Sequence, residues 1–268
     1  MEELYITNII FLLVSFLAST IGSICGIGGG IIIKPVLDAV GIMSVSAIGF
    51  LSGCTVLSMS IISVYKNIKS NVRNCMNMKI STLLGIGAAI GGVLGSKTFQ
   101  LLKLIFKSDN RVGAIQSFSL IIITIATLIY IKEKNKINTL NVENPYLCML
   151  IGLLLGLISA FLGIGGGPIN LVVLSYFFSM KTKIAAANSI YIIMFSQITS
   201  FFSTIIGGNI PNFSGVTLIV MILGGSIGGL VGSKINKSIS TKKVDKLFIY
   251  LILSIITINI YNFFKLSV

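Results

Sequence analysis

Long apolar runs separated by short polar stretches set the pattern of this chain, centred at roughly 6–33, 43–65, 80–96, 112–131, 147–178, 184–207, 214–233 and 247–264. A helix needs about 20 mostly apolar residues to cross a hydrocarbon core about 30 Å thick. The pattern therefore predicts eight membrane segments. The first and fifth runs are too long for one straight span, since about 30 residues at 1.5 Å each would reach about 45 Å. Both contain the same pentapeptide, GIGGG, at Gly26–Gly30 and Gly163–Gly167. Each interior glycine costs a helix roughly 1 kcal/mol relative to alanine. Each long run is thus predicted to break at its glycines and resume as a partial helix. Pro35 and Pro168 suit such restarts, because proline fits the first turn and already lacks the N–H.

The pattern also repeats. At a shift of 137 residues, GSICGIGGGIIIKPVL (22–37) falls on SAFLGIGGGPINLVVL (159–174) with 8 of 16 positions identical. The same shift lays GAAIGGVLGSK (87–97) on GGSIGGLVGSK (224–234). Two motifs about 60 residues apart sharing one offset point to duplication. The expected organisation is a first membrane repeat over 1–131, a polar linker over 132–146 and a second membrane repeat over 147–268. The fold class is an all-α integral membrane protein: about eight transmembrane segments in two homologous four-segment repeats, with helices broken at GIGGG. An even number of true spans per half makes the repeats parallel, whereas re-entrant hairpins change the count. With eight full spans, the odd-numbered loops carry 12 of the 20 Lys and Arg residues. By the positive-inside rule that bias sets those loops inside and both termini outside.

Composition agrees with a membrane protein. The chain is 54% hydrophobic and only 10% charged, against about 25% charged in soluble domains. Its formal charge of +13 does not indicate nucleic acid, because the Lys and Arg residues lie between apolar runs rather than on a soluble face. The opening MEELYITN has two acids and no Lys or Arg, unlike a signal peptide. There is no histidine, and the four cysteines form no CxxC pair, so neither a disulfide framework nor a metal site is expected. The sequence calls for no cofactor. No paired carboxylate and no nucleophile with a base suggests an enzyme.

Glycine breaks inside a bilayer have a use. Irregular backbone at that depth is tolerated where it is buried in protein or lines a wet cavity. A helix restarting after a break presents free N–H groups and a positive dipole end, which together hold an anion. The later glycines, Gly91, Gly92 and Gly95 with Gly228, Gly229 and Gly232, lack that density and read as a helix-packing face.

In these residues the chain resembles the sulfite exporter TauE/SafE family. The resemblance is carried by the twofold GxGGG, by GGGxxxxPxL in the first copy (Gly28–Gly30, Pro35, Leu37) and by a GxxxG helix ending in GSK. AAANS (185–189) matches the family's A-x-[TN]-S element. The resemblance covers nearly the whole chain. It implies a multi-pass protein of the cell membrane that exports sulfite, sulfoacetate or related organosulfur anions. Two departures mark the halves as unequal. Pro168 directly follows the second glycines, and FLS (50–52) retains Ser52 but lacks a counterpart of Asn188.

The expected partners are a small inorganic or organosulfur anion and the lipid bilayer, with no nucleic acid. Candidate binding groups are the backbone at Gly28, Gly29, Gly30, Gly165, Gly166 and Gly167, with Ser52, Asn170, Asn188, Ser189 and Gln197 as side-chain donors. Ser189, Ser196 and Gln197 share one helix face. Lys34 either draws an anion inward or snorkels to the headgroups, and snorkelling is the preferred reading. All seven acids fall at or near predicted span ends, Asp38 among them, so a carboxylate proton relay is not expected. The same breaks suit a small-anion channel, and a membrane scaffold would use them only for packing.

Overall fold

The computed structural model describes residues 2–69, 78–134 and 136–267 and, among them, contains ten helices and no strand. They are α1 (Glu2–Cys25), α2 (Gly30–Val40), α3 (Val45–Ile68), α4 (Met78–Phe106), α5 (Asp109–Glu133), α6 (Pro145–Leu162), α7 (Pro168–Phe178), α8 (Thr182–Ile206), α9 (Gly215–Ser238) and α10 (Thr241–Ser267). Eight are long and apolar enough to cross a membrane, and α2 and α7, of 11 residues each, are not. The two long apolar runs divide at the glycines, into α1 and α2 and into α6 and α7. Local chemistry sets several ends. Ser44 caps α3 by accepting from the Ala47 N–H at 3.3 Å, and Asn144 caps α6 ahead of Pro145. Gly41 closes α2 in the left-handed conformation (φ 76°), its N–H bonded to the Leu37 carbonyl.

Helix packing relies on missing side chains. On α4, a Cβ at Gly87, Gly91 or Gly95 would land on the carbonyl oxygens of Met149, Leu153 or Leu157 of α6. On α9, Gly224, Gly228 and Gly232 meet Leu12, Phe16 and Thr20 of α1 in the same way. The intervening glycines turn to other neighbours, Gly92 to α8 and Gly229 to α3. Close backbone approach of this kind supplies the dispersion contacts that lipid-immersed helices depend on.

The order of these contacts fixes the direction of each helix. Leu12, Phe16 and Thr20 follow Gly224, Gly228 and Gly232, so α1 runs parallel to α9. Thr55 and Met59 follow Gly225 and Gly229, so α3 is parallel to α9 as well. With α1 and α3 parallel, α2 carries the chain back between them. By the same test α6 and α8 both run with α4, and α7 is the return. Lys103, near the end of α4, donates to Ser46 at the start of α3, so α4 opposes α3. Each glycine-broken pair is therefore a hairpin whose ends lie on one face of the membrane, and the two halves are inverted.

This arrangement corrects the eight-span loop count, which put the α4–α5 connection on the same side as the α9–α10 connection. They lie on opposite faces, because α2 and α7 are returns rather than the tails of crossings. One face holds both termini with the α2–α3, α4–α5 and α8–α9 connections; we call it the terminal face. The other, the linker face, holds the end of α3 and the start of α4 with the α5–α6, α7–α8 and α9–α10 connections. Among the described residues, thirteen of the nineteen Lys and Arg residues fall toward the linker face.

Candidate functional site

The two breaks meet at the centre of the molecule. Gly26 and Gly28 take φ of 76° and 77°, and their counterparts Gly163 and Gly165 take 65° and 66°, a region glycine enters without the usual side-chain clash. A Cβ at Gly30 would strike the Ile164 carbonyl, and one at Gly28 would lie 3.5 Å from the Gly165 oxygen. Ile27 and Ile164, between the glycines, are buried in the main apolar core. Val56 of α3 and Ile193 of α8, again 137 positions apart, press on the breaks from either side. Gly30 is thus needed for the mutual approach of the two backbones, and the positive-φ glycines for the turns themselves. Among the described residues, the N–H groups of Gly28, Gly29, Gly165 and Gly166 have no hydrogen-bond partner. A buried group left in that state costs about 1–3 kcal/mol, which a ligand oxygen would relieve.

Two cavities approach this crossing from opposite faces. The larger, of 360 Å³, opens on the linker face, with Lys183, Asn236 and Lys237 on its wall and Ser23, Ser233 and Ala186 deeper. The smaller, of 80 Å³, opens on the terminal face and runs past Lys103, Ser46 and Ser200 to Lys34, Gln116, Gln197 and Gly163. Nine of the ten residues lining the larger cavity have their 137-shifted counterpart in the smaller. Ser233 matches Ser96, Ala186 matches Gly49 and Lys183 matches Ser46. The first glycine of each break stands at one cavity wall: Gly26 packs on Ala186, and Gly163 on Gly49.

The sequence-predicted side chains divide on inspection. Gln197 lines the smaller cavity, and its amide carbon lies 3.2 Å from where a Gly165 Cβ would be, so it joins break to cavity. Ser52 and Ser189 are fully buried with hydroxyls that have no partner. Each sits one turn from the residue that presses on the breaks, Val56 or Ile193, on the same helix face. Asn170, in the first turn of α7, is buried with a partnerless Oδ1. Asn188 stands apart: its Oδ1 accepts from Ser81 and its Nδ2 donates to the Ile184 carbonyl at 2.7 Å, tying α8 to α4. Ser196 donates to the Gly156 carbonyl at 3.4 Å.

Four residues were missed or misread. Ser19 of α1 places a partnerless buried hydroxyl against Gly29. Gln116 of α5 lines the smaller cavity, donating to the Phe161 carbonyl at 2.6 Å while its Oε1 has no partner. Lys34 does not snorkel. It is 2% exposed, and its Nζ donates to Asp38 Oδ2 at 2.8 Å. Asp38 is correspondingly buried inside the protein rather than at a wetted span end. The misreading arose because α2, taken as the tail of a crossing, is a return packed between α1, α3 and α10.

Comparison with known proteins supplies the family. Residues 11–259 match the sulfite exporter TauE/SafE family. The probable membrane transporter protein YunE of Bacillus subtilis is 22% identical over 256 residues, covering 88% of this chain and 91% of that protein. The probable membrane transporter protein MJ0441 of Methanocaldococcus jannaschii is 27% identical over 248 residues, covering 87% and 88%. No solved structure matches the chain. With eight apolar helices, two glycine-broken hairpins and a match over nearly its whole length, the chain is a multi-pass membrane transporter belonging to the sulfite exporter TauE/SafE family.

Proposed function

We propose that the protein exports small sulfur-containing anions, such as sulfite, sulfoacetate or related organosulfur anions, driven by the membrane potential. The observation that carries this reading is the pair of matching cavities on opposite faces, each meeting one of two apposed breaks with free N–H groups. Inverted halves around a central site made of broken helices suit alternating access. Excess Lys and Arg orient the linker face to the cytoplasm. The larger cavity, with Lys183 and Lys237 on its wall, then gathers anions from inside. An inside-negative potential of about 100 mV favours outward movement of one negative charge by about 2.3 kcal/mol, a concentration ratio of roughly fifty. The channel reading is less suited to this geometry, because Val56, Ile193 and the apposed glycines pack closely where the two cavities approach each other.

The test is uptake of labelled sulfite into proteoliposomes under an imposed potential, with no proton or sodium gradient. Saturable uptake that follows the potential, and that is lost in a folded Gly29→Leu/Gly166→Leu variant, is the expected result. Non-saturating conductance would favour a channel. A strict requirement for an ion gradient would refute potential-driven export.

A further inference from the structure

Lys34 and Asp38 are the only charged residues buried among the described residues. A buried ion pair is a poor way to stabilise a fold, since apolar residues of similar volume do as well or better. The chain contains that apolar alternative. At the 137-shifted positions, in the return helix of the other hairpin, stand Leu171 and Ser175. Leu171 is buried in the core at the place equivalent to Lys34. The architecture therefore requires no ion pair at this position, and something other than folding accounts for it.

The surroundings indicate what that is. The Lys34 stem lines the 80 Å³ cavity, with Cε 3.4 Å from where a Cβ of Gly163 would lie. At about 15 Å³ for each enclosed water, that volume suits about five waters or one small oxyanion. Amides of Gln116 and Gln197 share the wall, and among the described residues Gln197 has no hydrogen-bond partner. The other lysine of this cavity, Lys103, is engaged at the mouth with Asp109 at 3.0 Å. Only one of the three Lys34 donors is occupied, by Asp38 Oδ2, while Asp38 Oδ1 has no partner. Lys265, exposed at the end of α10, reaches the α2 carbonyls of Asp38 and Ala39 rather than the carboxylate.

Building on the anion-transport reading above, we infer that Lys34 is the cationic binding point for the substrate oxyanion, with Asp38 as a resident counter-ion that the substrate must displace. The carboxylate occupies the lysine whenever the cavity is empty. Weakly hydrogen-bonding anions such as chloride do not displace it, and oxyanions able to accept from Lys34 and the two glutamine amides do. Asp38 is in this sense a specificity-determining residue that sets a threshold for occupancy.

Labelled sulfite flux in proteoliposomes, with chloride as competitor, tests this. Lys34→Met is expected to raise KM by about tenfold or more, equivalent to about 1.4 kcal/mol of binding. Asp38→Asn is expected to lower KM and to make sulfite flux sensitive to chloride, which a merely structural pair would not do. Lys34→Leu/Asp38→Ser copies the second hairpin and so guards against misfolding. It is expected to assemble as the unmutated protein does and to lose saturable sulfite flux. Flux with unchanged KM in that double variant would overturn the inference while leaving the transport reading intact. Asp38→Asn with unchanged KM and no chloride sensitivity would overturn the counter-ion role. Absence of sulfite flux in the unmutated protein would remove the transport reading and this inference with it.

Discussion

At the scale of single residues, burial alone does not identify binding groups; the state of the hydrogen bonds does. Asn188 and Gln197 lie on one helix and are both buried, yet only Asn188 has partners. Asn188→Leu is therefore expected to act on stability, lowering it by about 1–3 kcal/mol in thermal melts of the purified protein while leaving the KM for sulfite unchanged. Gln197→Leu is expected to raise KM with little change in melting. Identical shifts in both variants would contradict this division. The sequence could nominate both amides because residue type and spacing are visible in it. It could not rank them, since the partner of Asn188, Ser81, comes from another helix 107 positions away.

Elements were more legible. Eight apolar runs and two glycine breaks are local signals, and each long run divides where glycine density makes a helix most costly. The packing glycines were legible for the same reason, as small residues at helical spacing. Their consequence is measurable. Gly91→Ala would set a methyl group on the Leu153 carbonyl oxygen and force α4 from α6, costing about 1–3 kcal/mol of stability. Gly215→Ala, at the start of α9 where a Cβ meets open space, is expected to stay within about 0.5 kcal/mol of the unmutated protein. Comparable melting temperatures for the two would sink the close-packing account. Hidden from the sequence was the direction of α2 and α7. An apolar stretch of 11 residues reads equally well as the tail of a crossing or as a return, and only contacts with other helices decide it.

For the whole molecule, that one undecided element governed topology, sidedness and the fate of Lys34 together. The structure sets Lys107 and Lys242 on opposite faces, whereas the eight-span count set them on the same side. In a variant lacking the native cysteines, Lys107→Cys is expected to react with an impermeant thiol reagent on intact cells, and Lys242→Cys only after permeabilisation. Labelling of both only after permeabilisation would return the topology to the eight-span loop count. The buried pair has a further consequence at this scale. Lys34 and Asp38 together carry no net charge. A carrier that reorients while empty therefore drags no charge through the electric field, whereas the loaded carrier moves the charge of its cargo. The voltage dependence of the cycle should reside wholly in the loaded step, leaving the empty return as a step that electrical recordings without substrate do not register.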